Sequence, residues 1–163
     1  MIAEQLQKMV LAYLIASYEA SGWDVDALTD GGYNVSNPDA QLRFTRGETS
    51  EEQTLPLITV EAEDGQEDYD TGNEFITLSV SVIVASEEPG SYALLKDQTD
   101  TLKELFWFDH PSQLQDAINA VTTETFQCLI MGTTDRTVES SFDDRRRMNK
   151  LSLRLYCGAM ENR

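Results

Sequence analysis

Apolar and polar residues alternate almost without a break from Ile76 to Val84. Ile76, Leu78, Val80, Val82 and Val84 fall on one face of an extended chain, and Thr77, Ser79 and Ser81 on the other. This pattern predicts a strand over Glu74–Ala85 in a sheet packed on one side only. Leu55–Glu61 reads as a strand before it, and Pro89 and Gly90 end the second strand. If the two pair, the acidic residues between them form a protruding hairpin loop at about 61–73. Near the C-terminus Phe126–Met131 is an apolar run, broken only by Gln127, suited to a buried strand. Arg136–Phe142 continues it past a bulge near Gly132. Asp143, Asp144 and Arg145 mark a turn. Met148–Cys157 alternates again, with Leu151, Leu153, Leu155 and Cys157 inward and Ser152 and Arg154 outward.

A different period governs three other stretches. Ile2, Leu6, Met9, Val10, Tyr13 and Leu14 form a helical stripe that should end between Tyr18 and Gly22. Tyr92, Leu95, Leu102, Leu105 and Phe106 space out as a helix face running through Trp107. Ser112 and Gln115 fit a capping box before a third helix with the stripe Leu114, Ala117, Ile118, Val121. Residues 22–53 are polar and punctuated by Gly31, Gly32, Asn34, Asn37, Pro38 and Gly47. Short strands are expected there around Tyr33–Val35 and Leu42–Phe44. A connection this long is usually functional, or an arm for a partner. The predicted order is α, β, β, α, α, β, β. That implies an α+β fold: a largely antiparallel or mixed β-sheet, with the N-terminal helix and two further helices packed on one face.

With 163 residues, the chain reads as one domain, 1–163. Such a chain buries roughly 70% of its unfolded surface, enough for a core. Its composition is ordinary except for charge: 29 acidic and 12 basic residues leave a net −17. That density of like charge repels a DNA backbone, over a Debye length of about 8 Å at physiological salt. Proteins that grip nucleic acid carry the opposite balance. Cys128 and Cys157 sit in apolar runs without the paired spacing of a zinc site, so buried thiols in a reducing cytosol are expected. No run reaches the roughly 18 apolar residues that span a bilayer. Before Met9–Ala16, Glu4 and a single lysine make a poor basic flank for a signal peptide, so the stretch reads as part of the first helix.

Catalytic signals are thin. The one histidine, His110, lies between Asp109 and Pro111, where a helix start is the plainer role. No nucleophile elbow or phosphate-binding glycine loop is present. Asp64, Asp68 and Asp70 offer oxygens at spaced positions, but the central glycine and terminal glutamate of a calcium loop are missing. No catalytic residue, cofactor or metal site is therefore expected. The candidates for interaction are Glu61, Glu63, Asp64, Glu67, Asp68 and Asp70, then Arg145, Arg146 and Arg147, and Trp107. Arginine makes bidentate pairs with carboxylates, so the triplet suits a neighbouring copy's acidic loop as well as a solvated turn. Phe106, Trp107 and Phe108 are adjacent, and one helical stripe cannot bury all three.

The order of elements, with "LPLITVEAED", "NEFITLSVSVIVAS", "SYALLKDQTDTLKELFWF" and a closing "KLSLRLYC", resembles the tail-terminator and tail-completion proteins of long-tailed bacteriophages. That resemblance spans nearly the whole chain. It implies a structural virion protein without catalysis, forming a homo-oligomeric ring, typically a hexamer. Such a ring caps the tail tube and joins it to the head-completion or connector protein. Genomic DNA passes through without specific binding, past an acidic channel. The implied location is the tail and neck of the virion, assembled in the host cytoplasm and away from membranes. Another neck or minor tail protein, such as a head-closure or tube subunit, fits the same pattern. So does an acidic adaptor domain outside phages that binds a basic partner. A metal-dependent hydrolase would need carboxylates converging in a pocket.

Overall fold

The N-terminal stripe winds into helix α1 (Ile2–Ala20), burying Ala3, Leu6, Met9, Val10, Tyr13, Leu14 and Tyr18. The computed structural model describes residues 2–27, 40–46, 55–67, 70–121 and 126–161. Gly22 stops α1 at φ 91°, a left-handed conformation that costs glycine least. There the Trp23 amide donates to the Tyr18 carbonyl at 3.0 Å, satisfying an end-of-helix acceptor.

Six strands form one sheet among the described residues: β1 (Val25–Ala27), β2 (Leu42–Arg46), β3 (Leu57–Glu67), β4 (Glu74–Ala85), β5 (Phe126–Phe142) and β6 (Arg146–Glu161). Their order is β1-β2-β3-β4-β6-β5. β1, β2 and β3 run parallel, and the remaining pairings are antiparallel, so the sheet is mixed. β1 escapes sequence reading because three residues are too few to show a period. The expected Tyr33–Val35 strand lies outside the described residues. Among the described residues β5 is an edge strand, and its apolar run is buried only in part: Ile130 is buried while Met131 is 46% exposed.

β3 and β4 do pair as an antiparallel hairpin. The acidic stretch, however, is not a loop from Glu61 onward. Glu61 pairs with Ser79, Glu63 with Thr77 and Asp64 with Ile76, all within the ladder. The long alternating β4 offers backbone donors and acceptors along its whole length, and β3 continues to satisfy them. The ladder shifts register between Asp64 and Glu67.

Helices α2 (Ser91–Phe106) and α3 (Pro111–Val121) pack with α1 on one face. On α2 the buried positions are Ser91, Leu95, Gln98, Thr99, Leu102 and Phe106, while Tyr92 is 68% exposed. The expected stripe holds at Leu95, Leu102 and Phe106 and fails at Tyr92; counting only apolar residues overlooks the buried Gln98 and Thr99. The Thr99 hydroxyl donates to the Leu95 carbonyl at 2.7 Å and accepts from Asn149 Nδ2 at 2.9 Å, so a polar side chain sits inside without loss. The capping pair of α3 is also displaced. Gln113 Oε1 accepts from the His110 amide at 3.2 Å, one residue before Pro111 opens the helix. Gln115 instead accepts from the Ile130 amide at 2.9 Å and ties α3 to β5.

The main core lies between the helices and Ile58, Val60, Ile76, Leu78, Val80, Val82, Leu151, Leu153 and Leu155. Tyr18 and Phe44, at 5.2 Å between ring centres, join α1 to β2. The opposite face is not simply solvated. Thr59, Ser79 and Ser81 are only 7–8% exposed, and Leu57 and Ile83 form a small second cluster beside Leu55 and Met148. Alternation says which residues share a face, not whether that face is covered, and the expectation of a one-sided sheet fails at its centre.

Candidate functional site

Strand β4 separates two chemically unlike ends. Glu74 pairs with Cys157 at one end, and Ala85 with Arg146 at the other. Twelve residues lie between and including those ends. At about 3.4 Å per residue the ends stand roughly 37 Å apart.

The first end is acidic. Glu63 is exposed, Glu61 is half-buried, and both lie on the face of the sheet away from the helices. Asp70 is exposed in the turn before β4. Asp64 and Glu67 belong to the β3 backbone ladder, and Asp68 lies outside the described residues. Tyr156 braces this end. Its hydroxyl lies 3.1 Å from Thr71 Oγ1 and accepts from Asn73 Nδ2 at 3.3 Å. Its ring lies 4.8 Å from that of Phe75, over which Arg154 is stacked at 4.8 Å.

The second end carries the arginines. Alternation along β6 divides the triplet: Arg146 pairs opposite Ala85 and Arg147 opposite Val84, so their side chains leave on opposite faces. Arg145 is exposed in the turn. Arg146 Nε lies 3.9 Å from Asp143 Oδ2. Asp143 Oδ1 accepts from the Arg145 and Arg146 amides at 2.8 and 2.7 Å, and these bonds hold its carboxyl below the usual value. A lowered carboxylate pKa adds stability above the ordinary Asp range, lost as the pH falls through the folded value. Asp143→Ala should therefore loosen the β5–β6 turn at neutral pH. Faster amide exchange at Arg145 and Arg146 in the variant checks this, and unchanged exchange would contradict it.

Arg147 faces the helices, 5.8 Å from the Tyr92 ring and 5.9 Å from that of Phe142. Phe142 is 81% exposed. Beside them a surface pocket of about 450 Å³ opens between α2 and the β5–β6 hairpin. Lys96, Asp100 and Lys103 of α2 line it with Arg147. Its floor is bonded: Ser140 Oγ donates to Asn149 Oδ1 at 2.7 Å, and Asn149 reaches Thr99. Trp107 is no exposed anchor. It is half-buried against the core at the end of α2, with Lys103 Nζ 5.4 Å from its ring. Among the described residues the exposed aromatics are Tyr92 and Phe142, which sequence reasoning missed. A large apolar residue directly before a charged turn was the available signal for Phe142.

His110 is exposed. Among the described residues no three His, Cys, Asp or Glu side chains converge to hold a metal. Cys157 is buried, and the Cys128 side chain lies outside the described set. No described helix is long and apolar enough to cross a membrane. No protein-family model matches the chain, and no curated protein matches its sequence.

Proposed function

We propose that this chain is the ring-forming subunit of a tail-terminator-like virion component. It caps the tail tube of a long-tailed phage and joins it to the head connector, with DNA passing through the ring. The observation that carries the reading is strand β5. Its 17 residues stand at the edge of the sheet, with no strand on their outer side among the described residues. Such an edge is a template for another chain.

Its surroundings limit where a partner adds. The ladder shifts at Ile130/Gly132 and at Thr134/Thr137, and Asp135 between the latter takes φ 55°. Bulges of this kind interrupt indiscriminate strand addition. Arg136 anchors the second bulge by donating to the Phe108 carbonyl and, at 3.3 Å, to Thr133 Oγ1. The straight run from Thr137 to Phe142 is left for a neighbour. The net charge of −17 supports the second half of the reading. A ring of such subunits repels phosphate, so DNA slides through without being held.

Electron microscopy of the purified protein, alone and mixed with headless tails, tests this. Single rings with an axial channel at tail ends, and restored joining to heads, are the expected result. Long tubes would make the chain a tube subunit. A protein that never binds tails but binds a basic protein in a salt-sensitive way would be an adaptor.

A further inference from the structure

We infer that the pocket between α2 and the β5–β6 hairpin receives the acidic β3–β4 end of a second copy of this chain. This inference rests on the ring reading and names the contact that would build it. A chain with net charge −17 repels its own copies unless opposite charges meet locally. Lys96, Lys103 and Arg147 meet at the pocket, against one carboxylate, Asp100. None of these cations is in an ion pair among the described residues. The complementary charges Glu61 and Glu63 lie on the other face of the sheet, opposite Ser79 and Thr77, roughly 17–24 Å along β4 from Val84, which pairs with Arg147. Across the sheet and at that distance these two carboxylates do not reach the pocket of their own chain.

The pocket has the chemistry of a protein contact. Arg147 is held between two rings, leaving its guanidinium edge to take a carboxylate in a bidentate pair. Tyr92 and Phe142 add exposed aromatic surface beside it, the residue type that most often anchors interfaces. On the donor side Glu61 and Glu63 sit two apart in one strand, so their side chains leave the same face about 7 Å apart. Because donor and acceptor are different surfaces on opposite faces of the sheet, the contact is head-to-tail. Repeated with a fixed rotation it closes into a ring, and without closure it makes a filament.

Charge reversal with restoration is the test. Lys96→Glu with Lys103→Glu reverses the acceptor, and Glu63→Lys with Asp70→Lys reverses the donor. Lys96, Glu63 and Asp70 are exposed and Lys103 is only part-buried, and thermal melting verifies that each variant folds. Sedimentation at low salt reads self-association, and electron microscopy of tails reads it for a chain that rings only on a tube. Each reversal should weaken assembly about tenfold or more, as should raising the salt. Mixing the two variants, or combining them in one chain, should restore assembly. Rings that survive both reversals would overturn this contact and leave the ring reading standing. So would folded variants whose mixture fails to reassemble. Restored, salt-sensitive association of a protein that never caps a tail would keep the contact and overturn the tail-terminator reading.

Discussion

Phe106→Ala is expected to lower the folding stability by about 3–5 kcal/mol. Phe106 closes the C-terminal end of α2 and is 1% exposed. Its ring meets Tyr13 of α1 edge-on, with centres 5.7 Å apart and planes at 89°. The Tyr13 hydroxyl donates to the Leu105 carbonyl at 2.8 Å, so the same point joins α1 to α2 by packing and by a hydrogen bond. Truncation removes the transfer free energy of the ring and the edge-to-face contact, and leaves a cavity that a bonded junction cannot collapse around. A domain of this size is stable by about 5–15 kcal/mol, so the variant approaches the unfolding threshold at physiological temperature. The melting temperature should fall by roughly 10 °C. Urea unfolding with an unchanged slope checks the magnitude. A loss below about 1 kcal/mol would show that the junction relaxes around the missing ring.

Gly65→Ala should destabilise by about 1–3 kcal/mol, through a clash and not through lost packing. A Cβ at Gly65 would overlap the Phe75 carbonyl oxygen and lie 3.1 Å from its carbon. The obstacle is backbone, so no side-chain rotation relieves it. Either the β3–β4 ladder separates at this point, or Phe75 shifts with its stacked partners Tyr156 and Arg154. The position lies inside the register shift between Asp64 and Glu67, where a residue without a side chain lets the two strands stay close. The damage should be local. Amide exchange should quicken around residues 62–76 more than in the centre of β4. The acidic end then loses its fixed geometry, and assembly should weaken even where the fold survives. Unchanged stability together with unchanged exchange would refute the close approach.

Much of the architecture was legible because its signals are local. The α1 stripe and its stop at Gly22, the β4 alternation, the bulge before Gly132 and the turn at Asp143–Arg145 each depend on residues within a few positions of one another. Errors arose where a local pattern met a distant partner. Ser112 and Gln115 have capping-box spacing, yet the backbone begins the helix one residue earlier and Gln115 is used by β5. Tyr92 matches an apolar stripe, yet Thr99 lies inside because Asn149 from β6 satisfies it. Glu63 and Asp64 look like loop residues, yet they continue a ladder because β4 extends opposite them.

The candidate site divides in the same way. Composition alone established the negative charge, and adjacency alone suggested an arginine cluster. Strand geometry splits that cluster, sending Arg147 to the helical side and Arg146 to the other. It then joins Arg147 to Lys96 and Lys103, far away in the chain, beside two exposed rings. The amino-acid order by itself determined the helices, the β4 faces and the excess of carboxylates, because periodicity and charge are properties of neighbouring residues and of the sum. Only the tertiary structure decided the strand order, the burial at the centre of the second face and the side of the sheet each arginine takes. Those follow from which distant segments pair across a sheet, and no local period encodes that choice.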